Sequence, residues 1–63
     1  MDEDTYIAVY DSLYAGISVA VSTNGFVDIL ATNLVNERAA RRYAEDASWG
    51  LAVQEVVDFT EKP

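Results

Sequence analysis

Histidine and cysteine are both missing from this 63-residue chain, and their absence removes several kinds of chemistry at once. Without cysteine no disulfide can form, and without either residue there is no structural zinc site and almost no transition-metal chemistry. The candidates for a general base or nucleophile shrink to carboxylates, serines, tyrosines and Lys62. No serine lies in a Gly-x-Ser-x-Gly motif, and the three glycines are too far apart to form a phosphate-binding loop. We therefore predict that the protein is not an enzyme and has no cofactor.

Basic residues are also scarce, with four Lys and Arg against eleven Asp and Glu, so the net charge is -7. Three of the bases fall within residues 33–49, where three acids balance them: Arg38, Arg41, Arg42, Glu37, Glu45 and Asp46. Their i, i+4 spacing predicts a salt-bridged helix surface, not a contact with phosphate. The rest of the chain carries the whole negative charge, and so polarised a surface selects its partners. Anionic membranes and nucleic acids repel such a surface, so we predict no direct binding to either.

Long apolar runs are the third absence, since none approaches the roughly 20 residues that span a bilayer. The segment Met1–Asp4 is acidic where a secretory signal is basic, so we expect a cytoplasmic protein. It also lacks the ligand spacing of a calcium loop, and we predict no metal site. The apolar fraction of 51% exceeds that of a disordered tail, so we expect one small domain, residues 1–63 with an ordered core of about 5–59. Oligomerisation is the one stabilising aid left to so small a domain.

Alternation of side chains predicts two strands, over residues 5–11 and 17–22. In the first strand Ile7 and Val9 share one face and aromatic residues the other. Some apolar residues of this region also fall at helical spacing, but the strict alternation after Gly16 argues against a helix.

The dipeptide Asn24-Gly25 between two apolar runs predicts a hairpin. A two-residue loop would pair Val21 with Asp28 and place a carboxylate among the core valines. A three-residue loop, Thr23–Gly25, pairs Val21 with Val27 and puts Asp28 on the opposite face. Because a shift of one residue exchanges the two faces of a strand, the apolar pattern favours the three-residue loop.

The next segment has a narrow apolar stripe at helical spacing, formed by Ala39, Ala40, Tyr43, Ala44 and Ala47. Either Asn33 or Asn36 can cap this helix, and Gly50 is expected to end it. Residues 51–59 then form a last strand, in which Glu55 either marks a bulge or lies near the sheet edge. The predicted fold class is α+β, a small antiparallel β-β-β-α-β sheet with one helix packed across one face.

The tyrosines of the first strand are the main candidates for a binding surface. If Ile7 and Val9 face the helix, Tyr6 and Tyr10 lie on the uncovered face of the sheet, together with Phe26 and Leu30. Uncovered apolar patches mark interaction sites, and tyrosine is enriched in interface hot spots. The predicted partner-binding residues are Tyr6, Tyr10, Tyr14, Asp11, Asp28, Phe26 and Asp58, with the acids at the rim. In the alternative interpretation the tyrosines belong to the core and the pattern is displaced by one residue.

In size, charge and lack of catalytic residues the chain resembles phage-encoded DNA-mimic inhibitors, such as anti-CRISPR and anti-restriction proteins. The resemblance implies an inhibitor that docks on a basic protein complex that binds nucleic acid, in the host cytoplasm if the chain is phage-encoded. A second hypothesis is a homodimeric structural or assembly module that buries the tyrosine face. In a third, the acidity is an adaptation to high salt, and folding should then strengthen as salt is added.

Overall fold

The chain folds into four strands and one helix in the predicted order, β-β-β-α-β. A computed structural model describes residues 4–60. The strands are β1 (Thr5–Ser12), β2 (Gly16–Thr23), β3 (Phe26–Leu34) and β4 (Val56–Asp58), and the helix is α1 (Glu37–Leu51). The predicted α+β fold, with one helix packed across one face of a small sheet, is confirmed.

The sheet is mixed, whereas the prediction was a purely antiparallel one. Its strands lie in the order β3-β2-β1-β4, with β2 antiparallel to both β1 and β3 and with β4 parallel to β1. The helix sets the direction of β4. Because α1 carries the chain back toward the end of the sheet at which β3 begins, β4 runs in the same direction as β3 and β1.

The hairpin between β2 and β3 has a two-residue loop, so the predicted three-residue loop is wrong. Asn24 and Gly25 have φ angles of 51° and 92°, the positive values that a type I′ turn requires at both central positions. The resulting register pairs Val21 with Asp28 and Ser22 with Val27. The intrinsic preference of Asn-Gly for the tight turn therefore outweighs the apolar pattern that favoured the longer loop.

The core tolerates this register because β3 is an edge strand with two irregularities. Asp28 stays exposed at the edge and does not enter the core. Further along, the register shifts between Val19 and Ala20 and again between Ile17 and Val19, and each shift inserts one extra residue into β3. Leu30 and Leu34 can then pack against the core although Asp28 precedes them.

The core lies between one face of the sheet and the alanine stripe of the helix. Ile7, Val9 and Val19 are fully buried against Ala40 and Ala44. Alanine has no side chain beyond Cβ, so α1 can approach the β-branched residues of the sheet closely. Partly buried residues complete the core: Ile17, Val21, Leu30, Leu34, Ala47 and Val53.

The N-terminal end of α1 agrees with the prediction, whereas its C-terminal end does not. Of the two candidate caps, Asn36 is the N-cap, and its Oδ1 accepts a hydrogen bond of 2.8 Å from the Ala39 N–H. At the other end α1 passes through Gly50 and is capped by Ala52, which has a φ of 58°. The predicted stop at Gly50 is therefore wrong, and the predicted final strand shrinks to Val56–Asp58. Glu55 precedes β4 at the sheet edge, where its carbonyl accepts a hydrogen bond from the Ile7 N–H.

Candidate functional site

One face of the sheet is not covered by α1, and it carries two of the predicted binding residues. Tyr6 and Tyr10 lie there, opposite to Ile7 and Val9, so the alternative that placed the tyrosines in the core is wrong. We call this surface the open face. Its residues are Tyr6, Ala8, Tyr10, Ser18, Ala20, Ser22, Val27, Ile29 and Val57.

The open face is mostly apolar, although no helix covers it. Val27 and Ile29 on the edge strand are 61% and 62% exposed. The ring of Phe59 lies against that of Tyr6, with the two centroids 6.3 Å apart. Three small residues of β2 are buried although no helix lies above them: Ser18, Ala20 and Ser22. Ser18 and Ser22 pair with Tyr10 and Tyr6 of β1, whose larger side chains flank them.

The acids that were predicted to border the tyrosines lie on the other side of the sheet. Asp11, Asp28 and Asp58 leave their strands on the covered side, because each pairs with a residue that packs in the core. Their partners are Ile17, Val21 and Val9. No open-face residue is charged at neutral pH. The predicted acidic rim is therefore wrong, and for Asp28 the cause is the two-residue loop.

Tyr14 and Phe26 are also separate from the open face. Tyr14 lies in the turn between β1 and β2, where it is exposed beyond the end of the sheet. Phe26 pairs with Thr23 at the first position of β3, on the same side as Asp28, and is 78% exposed. Leu30, which was predicted beside the tyrosines, packs against the core. The open face also includes positions that the sequence did not indicate: Val27 and Ile29 on β3 and Val57 on β4.

A groove runs between α1 and β3 on the covered side of the sheet. It is lined by Leu30, Tyr43, Asp46, Ala47 and Leu51. The Tyr43 hydroxyl donates a hydrogen bond of 3.3 Å to the Leu30 carbonyl, which joins the helix to the edge strand. Tyr43 and Leu51 remain exposed.

Phe26 and Asp28 lie on the same side of β3 as the groove, nearer to the hairpin. Both side chains leave the strand on the side of the groove, and α1 runs back along β3 toward the hairpin that precedes them. We call the combined surface the acidic groove: Phe26, Asp28, Leu30, Tyr43, Asp46, Ala47 and Leu51. Acids and aromatic residues therefore do lie on the same side of the sheet. That side is the one that the helix covers, and not the open face.

Asp58 has a structural partner. Its Oδ2 accepts a hydrogen bond of 2.6 Å from Arg41 Nε, and its Oδ1 accepts one of 2.8 Å from the Thr60 N–H. Burial would raise the pKa of Asp58, but the hydrogen bonds from Thr60 and Arg41 outweigh burial and hold this pKa well below its usual range. Arg41 also lies 3.4 Å from Glu37. Asp58 therefore fastens β4 to α1.

The remaining charges of the helix are less paired than predicted. The i, i+4 pair of Arg41 with Glu37 is confirmed. Within residues 4–60, however, no carboxylate lies within 4.0 Å of Arg38 or Arg42, so the predicted ion pairs of these two arginines are not formed. Within residues 4–60, no cation lies within 4.0 Å of Asp28 or Asp46 either. Both carboxylates of the acidic groove are therefore without an ion-pair partner in this part of the chain.

No similar protein assigns a function to this chain. Among residues 4–60 no group of three or more carboxylates is arranged to hold a metal ion, and no helix there is long and apolar enough to cross a membrane. No protein-family model matches the chain, and no curated protein and no solved structure matches it. Inference about function therefore depends on the open face and the acidic groove.

Proposed function

We propose that this protein is a non-enzymatic binding module that docks on a basic protein and inhibits it by occupying the surface that nucleic acid otherwise binds. One observation carries the proposal: the acidic groove combines exposed aromatic side chains with carboxylates that have no cation within 4.0 Å among residues 4–60. Asp28 and Asp46 are the two carboxylates, and Phe26 and Tyr43 are the two aromatic residues.

The two kinds of residue contribute to binding in different ways. Negative charge attracts a basic partner over long distances and raises the association rate. The apolar residues, Phe26, Tyr43 and Leu51, supply contact area that water leaves on binding. An arginine or lysine of the partner can form a charge-assisted hydrogen bond with Asp28 or Asp46. A surface rich in arginine and lysine is typical of nucleic-acid-binding proteins, and this supports that class of partner.

The experiment is a capture of proteins from cell lysate on the immobilised chain at about 0.05 M salt, followed by elution with a short DNA duplex. We expect a nucleic-acid-binding complex that the DNA displaces, because both ligands use one basic surface. The complex should also leave the resin before the salt reaches about 1 M, where the Debye length falls to about 3 Å. A complex that neither DNA nor salt displaces would contradict the proposal.

A pair of matched variants tests the surface itself. The double substitution Asp28→Asn and Asp46→Asn removes two charges from the acidic groove, and we expect the affinity to fall about tenfold or more. The control, Asp4→Asn with Asp11→Asn, removes two exposed charges elsewhere, so the net charge changes equally. Equal losses in both variants would show that total charge, and not the groove, governs binding. Stability that rises with salt in all three chains would instead support the salt-adaptation hypothesis.

A further inference from the structure

We propose that the open face is the contact surface of a homodimer, in which the open face of one chain packs against the same surface of a second copy. The solvated face of an antiparallel sheet ordinarily carries polar residues that alternate with the core. Here the uncovered face has valine, isoleucine, tyrosine and small residues instead, and on β3 its side chains Val27 and Ile29 are largely exposed. Such a face is built for contact with protein, not with water.

Charge identifies the second copy as the occupant. Two chains of net charge -7 repel each other wherever their acids come close. Contact costs least where neither chain brings a charge, and the strands of the open face carry none. Asp4 and Glu55 continue the alternation of Tyr6 and Val57 just outside the strands, so these two carboxylates border the open face at its hairpin end only. A basic partner would find no carboxylate to pair with on the open face, whereas a second copy presents an identical uncharged surface, as a two-fold interface requires.

The size of the face is sufficient for a modest dimer. With strands about 4.8 Å apart and about 3.3 Å per residue, four strands of this length cover roughly 400 to 500 Å² per chain. The two copies together would bury roughly 800 to 1,000 Å², at the lower limit for a specific interface. Within residues 4–60 the hydroxyls of Tyr6 and Tyr10 make no hydrogen bond, so they can pair across the interface. We therefore expect a reversible dimer that depends on concentration.

The first test is sedimentation velocity of the full chain over a range of concentrations, at about 0.05 M and about 1 M salt. We expect particles of twice the 6.9 kDa chain mass at the higher concentrations. Added salt should strengthen the dimer, because screening weakens the repulsion between like charges while apolar contact persists. Salt should weaken the binding of a basic partner at the acidic groove. A chain that stays monomeric at every concentration and salt would overturn the dimer.

Two substitutions of the same type give the matched comparison. Val27→Asp places a charge on the open face, and we expect the dissociation constant to rise at least tenfold. Val35→Asp adds the same charge at a residue that is 84% exposed in the connection between β3 and α1, and we expect no change. Equal effects of the two substitutions would contradict the proposal.

A measurement on the unmodified chain decides the question if Val27→Asp does not fold. Amide chemical shifts followed during dilution should change at Tyr6, Tyr10, Val27 and Ile29 and stay constant at Asp46 and Leu51. The reverse pattern would place the contact at the acidic groove and overturn the assignment. Failure here is separable from failure of the proposed function, because the Asp28 and Asp46 variants should still dimerise and Val27→Asp should still bind the basic partner.

Discussion

The two faces of the sheet come from the same strands and differ in almost every other respect. On the covered face Ile7, Val9 and Val19 are fully buried, whereas on the open face Val27 and Ile29 remain mostly exposed. The covered face is made of β-branched aliphatic residues that an alanine stripe can approach closely. The open face has tyrosine and small residues on its central strands and aliphatic residues at its edge. The alternation of one sequence thus builds a core on one side and a mostly apolar surface that no helix covers on the other.

The two faces also differ in where their charged residues lie. Asp11, Asp28 and Asp58 all leave the sheet on the covered side, at its periphery, although that side contains the core. The uncovered side contains no charge within its strands. A sheet face that had evolved to meet only water would show the opposite arrangement. The acidic groove and the open face therefore differ in charge, as the two proposed contacts require.

The largest effect is expected from one substitution made on both faces. Ile7→Ala removes fully buried atoms next to Ala40 and Ala44, and we expect it to lower the free energy of unfolding by about 2–5 kcal/mol. A domain of this size has only about 3–9 kcal/mol in total, so much of the population should unfold. Ile29→Ala removes the same atoms from the open face, and we expect a loss below about 1 kcal/mol in the monomer. Urea denaturation followed by circular dichroism, at monomeric concentrations, measures both. Similar losses would mean that the faces are packed alike.

A second comparison uses two acids that leave the sheet on the covered side. Asp58→Asn removes the charged partner of Arg41, and we expect it to lower the free energy of unfolding at neutral pH by about 1–2 kcal/mol. Asp28→Asn makes the same chemical change at an exposed residue without an ion pair in residues 4–60, and we expect a change within about 0.5 kcal/mol. The measurement is again urea denaturation, now repeated across the acid pH range.

The pH dependence has a defined sign. The pKa of Asp58 is lower in the folded chain than in the unfolded one, so the unfolded chain binds more protons in acid. Its contribution is complete above the unfolded pKa of about 3.9 and is lost as the pH falls toward the folded value. The difference between the wild-type chain and Asp58→Asn should therefore shrink below about pH 4. A difference that stays constant or grows in acid would contradict the role assigned to this carboxylate.

Sequence patterns were sufficient for the features that depend on local periodicity. Alternation in β1 placed Ile7 and Val9 on one face and Tyr6 and Tyr10 on the other, because side chains of a strand alternate whatever surrounds them. The alanine stripe of α1 identified the buried side of the helix in the same way. The open face could therefore be expected from β1 alone. What occupies it remains a prediction.

Features set by competition between local preferences were not predicted correctly. The Asn24-Gly25 turn and the placement of Asp28 favoured different registers, and the two register shifts further along β3 have no marker in the sequence. Had the turn been given more weight, Val27 and Ile29 would have been placed on the open face and Phe26 beside the helix. The parallel direction of β4 was also missed, because it depends on how α1 crosses the sheet and not on any strand pattern.

The smallest effects concern the C-terminal end of the helix that covers one of the two faces, where sequence and structure disagree. Gly50 lies inside α1, and a Cβ added there would meet no atom within 4 Å. Gly50→Ala should therefore raise the free energy of unfolding by about 0.5–1 kcal/mol, since alanine loses less conformational freedom in a helix. If Gly50 were the left-handed cap, as the sequence indicated, the same substitution would be destabilising.

The complementary substitution is Ala52→Gly. Ala52 adopts a left-handed φ of 58° while its N–H donates to the carbonyls of Ser48 and Trp49, and glycine takes that conformation without the steric cost of Cβ. We expect a gain of about 0.5–1 kcal/mol in thermal or urea denaturation. Because both substitutions lie in the layer that covers the core, neither should alter dimerisation through the open face. A change in the dissociation constant of the dimer would show that the helix and the open face are coupled, and that the two sides of the sheet do not act independently.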